Sequence, residues 1–313
     1  MISVQNITKQ FGETMALRGV SFEVQKGEVL GFLGPNGAGK STTMRIITCY
    51  MPANSGSVSV DGFDVYKNSL EVRRRLGYLP ENAPLYLDMK VIEFLGYIAD
   101  IRQVSKTERT DRIGKMVEVC GLEGVCHKNI AHLSRGYRQR VGLAQSMLHD
   151  PDILILDEPT LGLDPNQIIE IRELIKRLGR EKTVILCSHI LPEVSATCSR
   201  IIIINDGRIV ASGAPEELTS KAGGAPVLYI TVRGPADEVA ARLARVEGIT
   251  GVRAEGEPEA GLQRFTVTGQ EGARPGEDLF RAVVEGGWSI SELRQESATL
   301  EDVFTKLTTG EKA

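Results

Sequence analysis

Eight consecutive residues carry the clearest chemistry in this chain: Gly34-Pro35-Asn36-Gly37-Ala38-Gly39-Lys40-Ser41. They match G-x-x-x-x-G-K-[ST] without a departure. Glycines let such a loop curl so that successive backbone N–H groups turn inward on a bound phosphate, with no side chain in the way. A helix starting at Lys40 adds its unpaired N–H groups and the positive end of its dipole. Lys40 is then expected to reach the β- and γ-phosphates of a nucleoside triphosphate, and the Ser41 hydroxyl to ligate Mg²⁺. The complement of this loop is an acidic-ended strand, and Ile153-Leu154-Ile155-Leu156-Asp157-Glu158 supplies one. Asp157 is expected to hold Mg²⁺ through water, and Glu158 to polarise the attacking water.

The elements that must position these groups are legible around them. Val20, Phe22 and Val24 alternate with polar residues, and a Lys26-Gly27 turn leads into the apolar run Val29 to Leu33. After the loop, a helix is expected from Lys40 to about Tyr50, stopped near Pro52. Ser57 to Val60 with Asp61-Gly62 reads as a strand and turn. From about Pro84 to His132 the apolar spacing becomes helical, through Val91, Phe94, Leu95 and Ile98 and then Ile113, Met116, Val117 and Cys120. Strand–helix alternation then resumes: Ile153 to Leu156 and Thr183 to Cys187 as buried strands, Ile168 to Leu178 as a helix, and a hairpin turning at Asp206-Gly207. Ser220 to Pro226 has linker composition. Beyond it the order β-α-β-β-α-β, from Val227 to Arg294 with a final helix at Leu300 to Leu307, is that of a small ferredoxin-like domain.

Bulk properties narrow the classes. With 42% hydrophobic and 25% charged residues in 313, the chain is an ordinary globular one, so disorder is excluded as a description. Net charge is −4, and even Arg73-Arg74-Arg75 reads as a solvated helix face, which gives no support for nucleic acid as partner. No apolar run approaches the roughly 20 residues a bilayer requires. The first residues lack a basic and an apolar region, so no secretory signal is expected. The five cysteines form no CxxC pair and read as reduced thiols. The expected place is the cytosol.

Leu133-Ser134-Arg135-Gly136-Tyr137-Arg138-Gln139-Arg140, about twenty residues before Asp157, resembles the signature motif of the ATP-binding-cassette ATPases. Glu158-Pro159-Thr160 and Leu161-Gly162-Leu163-Asp164 resemble that family's segment after the magnesium strand and its D-loop. Ser188-His189 resembles its switch histidine. With the phosphate loop, the resemblance covers about Met1 to Ala214, all motifs in order.

This resemblance implies an α/β fold: a P-loop NTPase (RecA-like) core, an N-terminal antiparallel β-subdomain and a helical insertion at about 84–135. With the linker composition at Ser220 to Pro226 and the strand–helix order beyond it, domains of 1–220 and 226–309 are expected. It implies ATP and Mg²⁺, with Gly34, Pro35, Asn36, Gly37, Ala38, Gly39, Lys40, Ser41 and Thr42 on the nucleotide. Ser41, Glu81 and Asp157 fall about the metal, and Glu158, Lys40 and His189 are the catalytic set. Phe11 is similar to the aromatic that stacks on adenine, where Tyr is commoner. Ser134 and Gly136 are expected to face the γ-phosphate held by a second protomer, in a homodimer or a heterodimer with a related ATPase, and Asp164 is expected among the nucleotide-binding residues. The dimer would drive an integral-membrane permease docked on the helical insertion, from the inner face of the cell membrane.

Three residues depart from the family pattern. Arg135 replaces a glycine, Tyr137 a glutamine, and Glu81 the glutamine of the loop between metal and insertion. This combination resembles the ATPases of ABC-2-type exporters. Glu81 is expected to add negative charge near the metal, and Arg135 positive charge near the facing nucleotide. A soluble cassette ATPase of chromosome maintenance or translation, not coupled to transport and with the C-terminal domain as a regulatory module, is the alternative. The chain lacks the long heptad insertion of the former and the second phosphate loop of the latter.

Overall fold

The computed structural model describes residues 1–222, 226–259, 261–270, 273, 275–296 and 300–309. The chain runs β1 (Ile2–Phe11), β2 (Thr14–Val24), β3 (Val29–Leu33), α1 (Lys40–Ile47), β4 (Ser55–Val60), β5 (Phe63–Asp64), α2 (Ser69–Arg75) and β6 (Leu76–Leu79). It continues through α3 (Val91–Ile101), α4 (Arg109–Val119), α5 (Arg135–Met147), β7 (Ile153–Asp157), α6 (Pro165–Gly179), β8 (Thr183–Ser188), α7 (Leu191–Thr197), β9 (Arg200–Asn205), β10 (Arg208–Gly213) and α8 (Pro215–Ala222). Then come β11 (Val227–Arg233), α9 (Ala236–Leu243), β12 (Ile249–Glu259), β13 (Leu262–Gly269), α10 (Gly276–Glu285), β14 (Ser289–Glu296) and α11 (Leu300–Thr309).

Two compact units result. Met1–Pro215 clusters with the chain from Leu307, and Glu216–Lys306 forms the other. The first unit holds a six-stranded sheet in the order β10-β9-β3-β8-β7-β6 and a four-stranded antiparallel sheet in the order β2-β1-β4-β5. Strands β9, β3, β8, β7 and β6 are parallel, and β10 alone runs against β9. Their sequences show why. Every residue of β7 and β8 is buried, as are Ile201 to Ile204 of β9, so these strands need cover on both faces. Register then sets the site: Leu33 lies beside Ser188, Cys187 beside Asp157, and Leu156 beside Leu79. The carboxyl ends of four parallel strands therefore share one edge, where open α/β sheets bind ligands.

Within the insertion, α3 buries Phe94 and Leu95, and α4 buries Ile113 and Val117, as their spacing predicts. Arg74 and Arg75 both pair with Glu71 on α2, and the Arg75 guanidinium lies 4.3 Å from the Phe63 ring centre. The short strand β6 has no apolar alternation to announce it. It exists because Gly77 lets the chain pass under Ser146, whose carbonyl would be 2.3 Å from any Cβ there.

The second unit has strand order β12-β13-β11-β14, all antiparallel, which is the ferredoxin-like arrangement. Phe265 is fully buried. Trp288 is half-buried against that core, with Gly234 and Gly286 on its ring, so both aromatics serve packing. The linker expectation needs correction. Ser220, Lys221 and Ala222 continue α8, because Leu218 is buried and anchors that helix; residues 223–225 lie outside the described ones. No helix among the described residues is long and apolar enough to cross a membrane.

His149, just beyond α5, is bonded through Nε2 to the Leu76 carbonyl at 3.0 Å, while its buried Nδ1 has no partner among the described residues. Burial, and then the Arg102 charge, hold its pKa down at about 4. A folded pKa below the unfolded value means that the unfolded chain binds the extra proton first. Stability is therefore lost as pH falls from about 6.5 to about 4, by up to about 3 kcal/mol. His149→Gln should unfold at the same denaturant midpoint as the parent at pH 7.5 and at a higher midpoint at pH 4.5.

Candidate functional site

Helix α1 begins without a side-chain cap. Its N-cap is Gly39, at φ 107°, and its first turn carries no acidic residue, so its free N–H groups are left for an external anion. By contrast, Ser134 caps α5 and Asp164 caps α6. The loop geometry demands its glycines. A Cβ on Gly34 would fall 2.3 Å from the Ile204 carbonyl, and one on Gly39 would fall 2.8 Å from that of Ala16. Pro35 and Ala38 shape the same loop, in which Ala38 N–H bonds the Pro35 carbonyl.

Lys40 is only 6% exposed, and its ammonium donates to the carbonyls of Gly34 at 2.7 Å and Pro35 at 3.2 Å. Glu158 Oε1 lies 3.6 Å from that nitrogen. The other carboxylate oxygen, Oε2, accepts from His189 Nδ1 at 2.9 Å; the carboxylate partner fixes that tautomer and turns Nε2 outward. Glu158 itself sits at φ 51°, a region that non-glycine residues seldom occupy, and its N–H is held by the Cys187 carbonyl at 2.9 Å. Ser41 Oγ donates to Asp157 Oδ1 at 3.2 Å. Burial, helped by the charges of Glu158 and Glu81, raises the Asp157 carboxyl pKa against the pull of Ser41 and Lys40.

Lys40, Ser41, Glu158 and His189 line a cavity of about 370 Å³ together with Asn36, Gly37, Gly39, Thr42, Glu81 and Leu161; Asp157, bonded to Ser41, is buried and is not among the lining residues. One buried cation, open helix N–H groups and a hydroxyl–carboxylate pair suit a polyphosphate chelated to a hard divalent cation. The donor set at Ser41, Asp157 and Glu81 is all oxygen, as Mg²⁺ requires.

Not every expected residue converges there. Ser134, Gly136 and Asp164 do not line the cavity. Ser134 and Asp164 spend a side-chain oxygen on their own helix ends, and a Cβ on Gly136 would meet the Gln167 amide at 2.5 Å. Phe11 is 48% exposed, with Lys9 Nζ 5.3 Å from its ring centre, so it is a surface aromatic and not a core one. The Arg135 guanidinium lies against Gly162 of its own chain.

Comparison with known proteins agrees with this geometry. The profile of the ABC transporter family matches residues 17–161. Linearmycin resistance ATP-binding protein LnrL of Bacillus subtilis is 35% identical over 235 residues, covering 75% of this chain and 76% of that one. Nod factor export ATP-binding protein I of Burkholderia lata is 32% identical over 313 residues, covering 98% and 96%. Among solved structures, the dimeric ATP-binding cassette MJ0796 in a post-hydrolysis state with ADP and Pi aligns with a TM-score of 0.63 at 27% identity, over 68% of this chain and 98% of that one. The chain belongs to the ATP-binding proteins of ABC transporters. It is an ATPase of transport with a P-loop NTPase fold.

One residue of this ABC ATPase escaped the sequence reading. Glu193, on α7, is 4% exposed and accepts from Thr160 Oγ1 at 2.5 Å and from Ser188 Oγ at 3.4 Å. Ser188 Oγ in turn accepts from Ile190 N–H at 3.0 Å. This buried carboxylate thus ties the residue two beyond Glu158 to the residue before His189. The available signal was an acid in the first turn of a short helix beginning Leu191-Pro192.

Glu81 gives the pH test. Its charge helps to raise the Asp157 pKa, so Glu81→Gln should lower that pKa. The acid limb of Mg²⁺-dependent ATP binding should then move to lower pH, as titration with a fluorescent ATP analogue across the acid range would show. An unmoved limb would mean that the two carboxyls do not sense each other.

Proposed function

We propose that this chain works as one of a pair, with two Mg²⁺·ATP held between a phosphate loop of one protomer and the Ser134–Gly136 turn of the other. The observation that carries the reading is the separation just described: the signature turn and Asp164 stand apart from the phosphate cavity of their own chain. Phe11, exposed at the end of β1, would stack on adenine. Lys40 would exchange its two carbonyl partners for β- and γ-phosphate oxygens. Ser41, Asp157 and Glu81 would hold Mg²⁺, which supplies charge neutralisation on the phosphates. Glu158 would orient water and take its proton as the oxygen attacks the γ-phosphorus and ADP leaves. His189 Nε2 would meet the γ-phosphate, and Thr42 the nucleotide beside Ser41.

The pair would drive a separate permease of the ABC-2 exporter type from the cytoplasmic face of the cell membrane. Support comes from the linearmycin-resistance and Nod-factor-export relatives and from Glu81, Arg135 and Tyr137. A second cavity, of about 470 Å³, reaches from the core to the insertion, with Arg45, Arg73 and Arg102 among its lining residues. None of these three makes an ion pair among the described residues, and burial, with Arg73 beside it, lowers the Arg102 pKa. Gln145 Oε1 is buried there without a partner among the described residues. An acidic segment of the permease fits this chemistry.

Glu158→Gln should slow hydrolysis by about 10²–10⁴ and yield an ATP-loaded pair on a sizing column. A variant that binds ATP and still elutes as a single chain, with its permease present, would overturn the paired reading. Arg102→Glu should keep ATP turnover of the isolated protein and abolish its stimulation by the co-purified permease; retained stimulation would move the docking surface elsewhere.

A further inference from the structure

Arg135 occupies a position whose contact is unusual. It is the first residue of α5 and it is exposed, yet among the described residues its side chain makes no hydrogen bond and no ion pair. Instead its guanidinium lies flat on a backbone. A Cβ built on Gly162 would fall 2.5 Å from both Cζ and Nη1 of Arg135, and 2.9 Å from Nε. Gly162 has φ 71° and belongs to the Leu161–Asp164 loop, three residues before the first turn of α6. Leu161 lines the phosphate cavity, and its N–H bonds the Glu158 carbonyl at 3.2 Å. Two further contacts run parallel to this one. Gly136 sits against the Gln167 amide, and Arg140 is paired with Glu170. Helix α5 is thus laced to the loop and to α6 at three successive levels, and the uppermost is the Arg135 plane on a glycine.

We propose that Arg135 is a positioning residue whose flat guanidinium, laid on Gly162, sets the place of the Leu161–Asp164 loop and so ties the signature turn to the segment that follows Glu158 in the same chain. A planar, weakly hydrated cation suits a bare Cα and adjoining peptide; a compact, strongly hydrated ammonium does not. The tie matters because the two ends serve different reactions in the paired reading: Glu158 acts on the nucleotide of its own chain, and Ser134 on that of the partner. A loop shifted by a fraction of an ångström at Leu161 reaches the Glu158 carbonyl through one hydrogen bond, and catalysis is sensitive to displacements of that size. The contact itself lies within one chain. Only its consequence for the second nucleotide rests on pairing.

The test compares Arg135→Lys, Arg135→Gly, Gly162→Ala and the double variant Arg135→Gly/Gly162→Ala, in the full chain, by steady-state ATP turnover. Expected are falls in kcat of about threefold to tenfold for each single variant, with KM for ATP within about twofold. Lysine should fail to rescue, because it restores charge without the plane. The double variant should be no worse than the worse single one, since both remove the same contact. An Arg135→Lys variant with the parent's kcat would assign the residue's effect to charge and overturn the proposal, as would losses that multiply in the double variant. Thermal unfolding midpoints identify a variant that does not fold. If Gly162→Ala is such a variant, Arg135→Lys against Arg135→Gly decides alone. Elution of the Glu158→Gln form reads pairing separately, so a failure of pairing and a failure of this contact are told apart.

Discussion

A buried ammonium at the carboxyl edge of a parallel sheet governs this molecule. Taking Lys40 out of water costs several kcal/mol unless partners replace the water. The fold replaces it with two carbonyls of the loop and with Glu158, which is itself buried and shared with His189. Those partners exist only because β3, β7 and β8 lie side by side in register, so that the loop after Leu33, the acids after Leu156 and the histidine after Ser188 meet. The desolvation cost is thus met during folding. In the proposed reading, a triphosphate that displaced the carbonyls would find a cation already stripped of water, whose field would act at close to full strength. The raised pKa of Asp157 is the counterpart: an acid kept among acids, relieved by a hydroxyl and a lysine and able to gain from a divalent cation.

The sequence carried the chemistry further than the packing. Gly34 to Ser41 specified the phosphate loop because its glycines, lysine and hydroxyl stand in one contiguous pattern, although the clearances that Gly34 and Gly39 answer are set by Ile204 and Ala16. Buried strands such as β8, with six of six residues buried, were legible for the same reason. Even the ferredoxin-like order of the second unit followed from alternation and turn residues alone. What escaped reading depends on distant partners. Strand β6 is specified by a glycine's clearance beneath Ser146. The Thr160–Glu193–Ser188 tie joins residues 33 apart in sequence, and no spacing rule marks Glu193 as buried. Helix α8 ran past the expected break because Leu218 outweighed the small residues that follow.

Arg135 shows the same limit from the other side. As a substituted glycine in the signature it suggested a charge for the facing nucleotide, since the motif is read by its ligand. Within its own chain its side chain lies on Gly162, a contact that periodicity does not announce. The two glycines involved have opposite reasons: Gly136 is small so that Gln167 can close on α5, and Gly162 is small so that an arginine can close on the loop. The bare Cα of Gly162 thus leaves the room that the arginine plane in the turn occupies.

The distribution of unpaired charge separates the surfaces that await a partner from those that do not. On the sheet of the second unit, Arg264 pairs with Glu292, Arg294 covers the Tyr229 ring, and Thr266 donates to Glu255. These side chains find their partners within the sheet itself. The cavity between core and insertion is the reverse, with three arginines and no answering carboxylate among the described residues. A folded chain leaves cations unpaired at modest cost only where water reaches them, and that cost becomes a gain when a carboxylate arrives. The arginine-lined cavity and the phosphate cavity obey one rule: in each, positive charge is positioned in advance of the anion that the proposed function would bring to it.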